Sequence, residues 1–307
     1  MTRVARNKSR CFLLVVLGSW WTGPAIAGPA LSLYGAGPER WVFSQESLRS
    51  DEDRVRTKGY DVNSIEDLSR ATKDKAPAVR EGALYLLARK AKGQSIPVLK
   101  QACSDPWPGV RCAAARLMGV LGDRSGLDRM RKDWAELMRE GQKDDVSAED
   151  FREREKRGEP TSLGSASGRL YYALQVAQVL AEFGDSSGYE VAARTAVQDK
   201  VAVNRGLSMM VLAELGRLDK ATLEARGCDP EAVLLVVAES ETASHSLEVL
   251  YGCVTGRMRP ESKVRILEKL ERSPHLSDQR RRTVTGALQD VRRQLEKDKQ
   301  ATGQKKE

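Results

Sequence analysis

Apolar residues recur at helical spacing in two successive stretches of the chain. The two series are Val79, Ala83, Leu86 and Leu87, and then Val110, Ala114, Leu117, Met118 and Leu121. Both follow the i, i+4, i+7, i+8 template of a helix with one buried stripe. No stretch alternates between apolar and polar residues for long enough to indicate a β-sheet, so the pattern predicts a mainly helical chain.

The same short frame precedes both helices. D-x-x-P-x-V-R appears at residues 74–80 and again at 105–111, about 31 residues later. Its fixed positions are Asp74, Pro77, Val79 and Arg80 in one copy and Asp105, Pro108, Val110 and Arg111 in the other. The block V-L-A-E-F-G at 179–184 likewise returns as V-L-A-E-L-G at 211–216. Spacing of this kind predicts stacked two-helix units that bury a shared core.

Helix ends are marked as clearly as helix faces. Gly122 and Gly184 each follow an amphipathic stretch, and glycine just past a helix accepts the left-handed C′ conformation. Ser64, with Asp67 three residues on, predicts the start of the first helix in a capping-box-like arrangement.

The frame followed by A-A-x-x-L-G resembles the HEAT-like repeat family over residues 64–123, 167–216 and, more loosely, 218–296. The resemblance implies an all-α fold, a right-handed α-α superhelix (HEAT/armadillo-like solenoid) of about five to six helical hairpins. In that family the Asp caps the turn between the two helices, the Pro opens the second helix and the Arg reaches a neighbouring repeat. Residues 200–205 depart from the pattern, since they lack the proline and Arg205 falls one place late.

Elementary chemistry agrees with these roles. Asp105 can accept hydrogen bonds from the free N–H groups of a helix start, and proline is tolerated in the first turn, where its missing donor costs nothing. Asp74, Asp105, Arg80 and Arg111 are therefore interpreted as a structural ladder between repeats, with ligand contact as the alternative.

The first 27 residues have the pattern of a secretory signal peptide. Four basic residues precede an apolar run over 11–21, and Ala25-Ile26-Ala27 forms an A-x-A cleavage pattern. We expect an exported protein, periplasmic or secreted after cleavage near Ala27, with a retained N-terminal anchor as the alternative. No further apolar run long enough to span a membrane is apparent.

The remaining chain divides into a predicted irregular lead-in at 28–62 and a repeat domain at 63–296, followed by a disordered basic tail at 297–307. The lead-in carries Tyr34, Trp41 and Phe43, which could cover the first repeat. Within the repeat domain, residues 140–166 form a highly charged insertion between the two helices of the third repeat. Insertions in repeat arrays often serve binding, but mixed charge with few apolar residues is also typical of spacers, so both interpretations stay open.

Charge and motifs disfavour several function classes. The leader contains four of the 51 basic residues and none of the 43 acidic ones, so a net charge of +4 remains, too little to indicate nucleic-acid binding. His245 and His275 are the only histidines, and neither has metal-ligand spacing. No nucleophile elbow or phosphate loop appears. We therefore predict no catalytic, metal or cofactor site, and we expect the scattered acidic residues to be solvated.

Two residue groups leave alternatives open. The C-terminal arginines are expected to point outward on a capping helix, or else to contact an anionic surface; they are Arg280, Arg281, Arg282, Arg292 and Arg293. The four cysteines after the leader are Cys103, Cys112, Cys228 and Cys253. They lack the spacing of a zinc or redox motif, and are either buried thiols or the bridges Cys103–Cys112 and Cys228–Cys253.

The sequence thus predicts an exported helical scaffold that binds another protein, without catalysis of its own and with no nucleic-acid partner. The binding surface would be the concave face of the second helices together with the insertion. One alternative follows from a branch of the HEAT-like family that attaches linear tetrapyrroles to light-harvesting proteins. Another is a cell-envelope protein that holds an anionic surface through its C-terminal arginines.

Overall fold

The computed structural model describes residues 45–140 and 166–303, and over this part of the chain the regular structure is entirely helical. The α-helices are α1 Gln45–Arg56, α2 Ile65–Ala71, α3 Pro77–Ala91, α4 Ile96–Ala102, α5 Pro108–Val120, α6 Ser125–Glu140, α7 Ala166–Glu182, α8 Tyr189–Gln198, α9 Ala202–Leu215, α10 Lys220–Ala225, α11 Pro230–Ser240, α12 Ser244–Arg257, α13 Pro260–Glu271 and α14 Asp278–Gly303. A 3₁₀ turn over Lys92–Ser95 joins α3 to α4.

The helices pack as six consecutive hairpins within the described residues: α2/α3, α4/α5, α6/α7, α8/α9, α11/α12 and α13/α14. The second helices from α3 to α12 pack directly on one another. Among the first helices, α2, α4 and α6 contact each other little, whereas α8, α11 and α13 pack in succession. We call α3, α5, α7, α9, α12 and α14 the second-helix row. The predicted all-α, HEAT-like solenoid is confirmed.

Local sequence accounts for where the helices begin and end. Pro77 and Pro108 are the first residues of α3 and α5, where the fixed φ of proline suits a helix and no donor is lost. Gly122 and Gly184 follow α5 and α7 with φ of 87° and 80°, as the glycine pattern predicted. Ser64 caps α2, since its side chain accepts a hydrogen bond from the backbone N–H three residues on.

The core is a continuous layer between the two rows of helices. The predicted stripes of α3 and α5 are buried except for Leu121, which is half-buried just past the end of α5; Ala83, Val110 and Leu117 are fully inaccessible. One apolar cluster surrounds α1 to α3 and a second extends from α3 to α14, so the two meet on α3. Burying a side chain of this size contributes roughly 1.5–3 kcal/mol, which makes these stripes the main source of cohesion between repeats.

Three elements differ from the prediction. The lead-in, expected to be irregular through residue 62, contains helix α1, because Val55 is buried and α1 packs on α3 where a preceding second helix would lie. The basic tail, expected to be disordered from 297, continues as helix α14 to Gly303. The short helix α10 is inserted between α9 and α11. The structure does not describe residues 1–44 and 141–165. The proposed leader and most of the charged insertion therefore lie outside the described residues.

Candidate functional site: the turns and the second-helix row

The turn between α2 and α3 is closed by Asp74 and Arg80. One carboxylate oxygen of Asp74 accepts a hydrogen bond from the backbone N–H of Ala76 at 2.7 Å. Arg80 donates to the Asp74 carbonyl at 2.9 Å and, through two nitrogens, to both carboxylate oxygens of Asp105 at 2.7 and 2.6 Å. Asp105 in turn accepts from the N–H of Trp107 at 2.8 Å. A single arginine therefore ties its own turn to the next one.

Arg111 makes the following connection with different partners. It donates to the Asp105 carbonyl at 2.7 Å and to the Tyr172 hydroxyl at 3.0 and 2.7 Å, and it lies 3.2 Å from Asp133. The Tyr172 hydroxyl donates to Asp133 at 2.5 Å. Burial, reinforced by this carboxylate, raises the pKa of Tyr172, so the phenol stays protonated and acts as a donor. Residues of α5, α6 and α7 are thus fixed together.

The ladder reappears at Arg205. Asp199 accepts from the N–H of Val201 at 2.6 Å, and Arg205 donates to the Asp199 carbonyl at 2.9 Å and to Glu241 of the next turn at 2.9 Å. The sequence pattern placed this copy of the D-x-x-P-x-V-R frame at residues 200–205, so Arg205 fell one position late. Counted from Asp199, the spacing from the acid to the arginine equals that of Asp74 to Arg80. This spacing was the signal that could have identified the copy.

The other motif positions serve the same turns. Pro77 and Pro108 open their helices, and the side chains of Val79 and Val110 are buried at 4% and 0% exposure. The Arg80 and Asp105 side chains are only about a tenth exposed. These residues contact neighbouring protein groups on most sides, which leaves little of their surface for a ligand.

A buried ion pair crosses the second-helix row between α5 and α7. Arg116 donates to both oxygens of Glu182 at 2.7 and 3.0 Å, and to the hydroxyl of Tyr85 on α3 at 3.2 Å. Gln178 donates to the same carboxylate at 3.2 Å. The Glu182 side chain is fully inaccessible and that of Arg116 is 6% exposed. Burial raises the pKa of Glu182, although Arg116 opposes this by stabilising the carboxylate.

A second buried ion pair joins α9 to α12 through Glu214. Its side chain is fully buried, with one oxygen 2.7 Å from Arg257 and the other 3.1 Å from Arg217. Glu182 and Glu214 occupy the same position in V-L-A-E-F-G and V-L-A-E-L-G. The expectation that acidic residues are solvated is wrong for both. Their repetition at one position was the available signal, but its meaning depends on how the repeats stack.

The four cysteines are free thiols, and all are buried. The bridges Cys103–Cys112 and Cys228–Cys253, which the sequence left open, are therefore not formed. Burial raises the pKa of Cys103 to about 11 and that of Cys112 to about 12. Thiols of this kind are poor nucleophiles near neutral pH and behave as small apolar side chains.

Four of the five C-terminal arginines donate to groups of the protein itself. Three pair with carboxylates: Arg280 with Glu248, Arg292 with Glu268 and Arg293 with Asp290. Arg281 is half-buried and donates to the backbone carbonyl of Ser273 at 2.9 Å. Arg282 is exposed on α14. The expectation that the triplet points outward therefore holds for Arg282 but not for Arg281.

Other chemistry in the described residues is sparse. His275 is exposed beside the start of α14, and no group of three histidine, cysteine or acidic side chains there is arranged to hold a metal ion. Among the helices that the structure describes, none is long and apolar enough to cross a bilayer. A shallow groove of about 580 Å³ lies between α10, α11 and α13, with Leu223 and Leu235 among its lining residues.

The comparisons with known proteins agree with this architecture. Residues 65–148 match the family model described as HEAT repeats, a segment that begins at α2 and extends beyond α6. This match supports a HEAT-like repeat protein, the class that the hairpins and the turn ladder define. The searches of curated proteins and of solved structures return no match to the chain.

Proposed function

We propose that the protein is an exported scaffold that binds another protein along its second-helix row and catalyses no reaction. HEAT repeats generally mediate protein interactions, as the match at residues 65–148 suggests for this chain. The observation that carries the proposal is the way the row is held: the buried pairs Arg116–Glu182 and Arg257–Glu214, together with the turn arginines, link successive helices. A surface held in this way is preorganised, which lowers the entropic cost of binding a partner.

The chemistry of the described residues also favours binding over catalysis. The buried Arg116 and Glu182 side chains bond to each other across helices. A general acid or base needs access to a substrate proton, and the Glu182 carboxylate is covered. The export component rests on the basic and apolar leader ending at Ala27, and N-terminal sequencing of the protein from its native host tests it. A mature chain that begins at Gly28 would support export.

Site-specific photocrosslinking in the native host tests the binding surface. A photoreactive amino acid replaces Gln175 or Met210, which are half-buried on the second-helix row, or Lys132 or Arg194, which are exposed on first helices. We expect adducts with another protein from the first pair and few from the second pair. Adducts confined to Lys132 and Arg194, or none from any position, would contradict the proposal.

Deleting Gly141 to Leu163 tests whether the charged insertion contributes to this surface. Loop length has a small effect on folding free energy, so thermal stability should change little. Loss of the adducts at Gln175 in the deleted protein would assign the insertion to the recognition surface, whereas retained adducts would identify it as a spacer.

A further inference from the structure

Trp107 and Glu81 face each other at the start of α5. Trp107 precedes the first residue of α5 and is 38% exposed, the one aromatic among the strongly exposed large hydrophobic side chains of the described residues. A Cβ at Gly109 would lie 3.4 Å from the Trp107 indole nitrogen and 3.8 Å from a carboxylate oxygen of Glu81 on α3. The glycine thus leaves a gap between an exposed indole and a carboxylate.

Glu81 is a half-buried carboxylate whose neighbouring cations bond elsewhere. Arg116 binds Glu182 through two nitrogens, and Arg54 lies 3.4 Å from Asp51 on α1. Within the described part of the chain, no donor lies within hydrogen-bond distance of Glu81. Burial raises its pKa, because the carboxylate loses water without gaining a bonded cation in return.

Tyr171 lies on α7, the helix that follows α5 in the second-helix row. It is half-buried, and its hydroxyl accepts a hydrogen bond from Gln175 at 3.4 Å. Burial raises the pKa of Tyr171, and the negative charge of Glu81 adds to this rise. We call Glu81, Trp107 and Gly109, which the distances around Gly109 bring together, the Trp107 patch.

We propose that the Trp107 patch receives an arginine or lysine side chain of the protein partner, a specific contact that rests on the scaffold function proposed above. A cation over an indole ring is attracted by the ring, and more strongly when water is excluded. The same cation would give Glu81 the charge-assisted hydrogen bond that it lacks. A neutral apolar side chain could cover Trp107 but would leave the carboxylate desolvated and unpaired. Exposed tryptophan is also enriched among the residues that dominate binding energy.

Two peptides that differ in one group test the proposal. The probes are acetyl-Ala-Leu-Arg-Leu-Ala-amide and its citrulline analogue, which has nearly the same shape but no charge. The purified protein carries 5-fluorotryptophan, and Trp107→Phe assigns the resonance of Trp107. We expect the arginine peptide to shift this resonance saturably and to bind about tenfold more tightly than the citrulline peptide, as one desolvated cation contact implies.

Variants locate the binding and separate it from folding. Glu81→Gln should abolish the preference for arginine, and Gly109→Ala should weaken binding because the added methyl fills the gap at ordinary contact distances. Both should keep the wild-type melting temperature or raise it, since the first removes a desolvated charge and the second replaces a helical glycine. Glu66→Gln, at an exposed carboxylate on α2, is the matched control and should change nothing. Equal binding of the two peptides, or an unchanged preference in Glu81→Gln, would overturn the proposal.

The crosslinking experiment distinguishes this proposal from the scaffold function. If Glu81→Gln keeps the adducts formed from Gln175 at wild-type yield, the scaffold function survives and the cation contact is refuted. If the wild-type protein forms no adducts while the arginine peptide still binds at Trp107, the scaffold function fails and the cation site stands. Reduced adducts in Glu81→Gln, with normal yields in Glu66→Gln, would support both.

Discussion

Replacing Arg116 with methionine removes the guanidinium that binds Glu182 but retains an unbranched apolar stem. The Glu182 side chain is fully buried, so no water replaces the two lost hydrogen bonds. Breaking a buried ion pair by removing one partner typically costs about 3–5 kcal/mol, because an uncompensated charge is left behind. The hydroxyl of Tyr85 loses its donor as well. We therefore expect the free energy of unfolding to fall by about 3–5 kcal/mol near neutral pH.

Urea denaturation followed by circular dichroism measures this loss. The matched control is Arg70→Met, because Arg70 forms an exposed ion pair with Asp67 on α2 and is itself 68% exposed. Exposed pairs of this kind contribute less than about 1 kcal/mol. Replacing both Arg116 and Glu182 with methionine should recover most of the stability, because it removes the orphaned charge.

The pH dependence gives a second, independent readout. Burial already raises the pKa of Glu182 and Arg116 opposes that rise, so the pKa increases further in Arg116→Met. The folded variant then binds a proton more tightly than the unfolded chain, and its free energy of unfolding increases as the pH falls. The cost of Arg116→Met should therefore be smaller at about pH 5 than at about pH 7.5. A cost no larger than that of Arg70→Met, or a cost that grows on acidification, would refute the reasoning.

Three further predictions concern packing, burial and backbone conformation. Leu117→Ala should lower the free energy of unfolding by about 2–5 kcal/mol, whereas Arg139→Ala, on the exposed face of α6, should change it by less than about 0.5 kcal/mol. Equal losses in urea titrations would contradict the repeat register. Burial raises the pKa of Asp51 from 3.8 to about 7, so Asp51→Asn should be more stable than wild type above pH 7 by up to about 4 kcal/mol. Thermal melts at decreasing pH should show this gain disappearing toward about pH 4. Gly122→Ala should destabilise the protein by about 1 kcal/mol because φ at Gly122 is 87°, whereas Gly256→Ala, in a helix with open space around the residue, should stabilise it by up to about 1 kcal/mol. Shifts in melting temperature of the same sign for the two variants would contradict this prediction.

Sequence rules that act within one turn of chain predicted the fold well. Pro77 and Pro108 fix the starts of α3 and α5, and Gly122 and Gly184 mark helix ends, because each residue restricts or frees its own backbone dihedrals. Spacing also sufficed for Leu117, since an apolar stripe at helical period can be buried only toward the other row.

Contacts between distant repeats could not be predicted in the same way. Glu182 and Glu214 have the same local sequence as a solvated glutamate near a helix end, and only the stacking of α5, α7 and α9 shows that they are buried. Arg116, the partner of Glu182, lies 66 residues before it, across the charged insertion. Helix α1 was missed for a related reason, since Val55 is buried and the helix that α1 packs against is α3.

Removing the charge should have opposite effects on stability at Glu81 and at Arg116, and at Glu81 it should also weaken binding. Arg116 and Glu182 satisfy each other inside the second-helix row, so neutralising either one alone weakens the fold. Glu81 has no hydrogen-bonding partner among the described residues, so neutralising it should leave the fold as stable or more stable while it weakens the contact with a cationic partner. A residue with a purely structural role would not combine these two effects. A stability gain with loss of binding at Glu81, beside a stability loss at Arg116, would therefore separate the charges that hold the repeats together from the one that remains available to a partner.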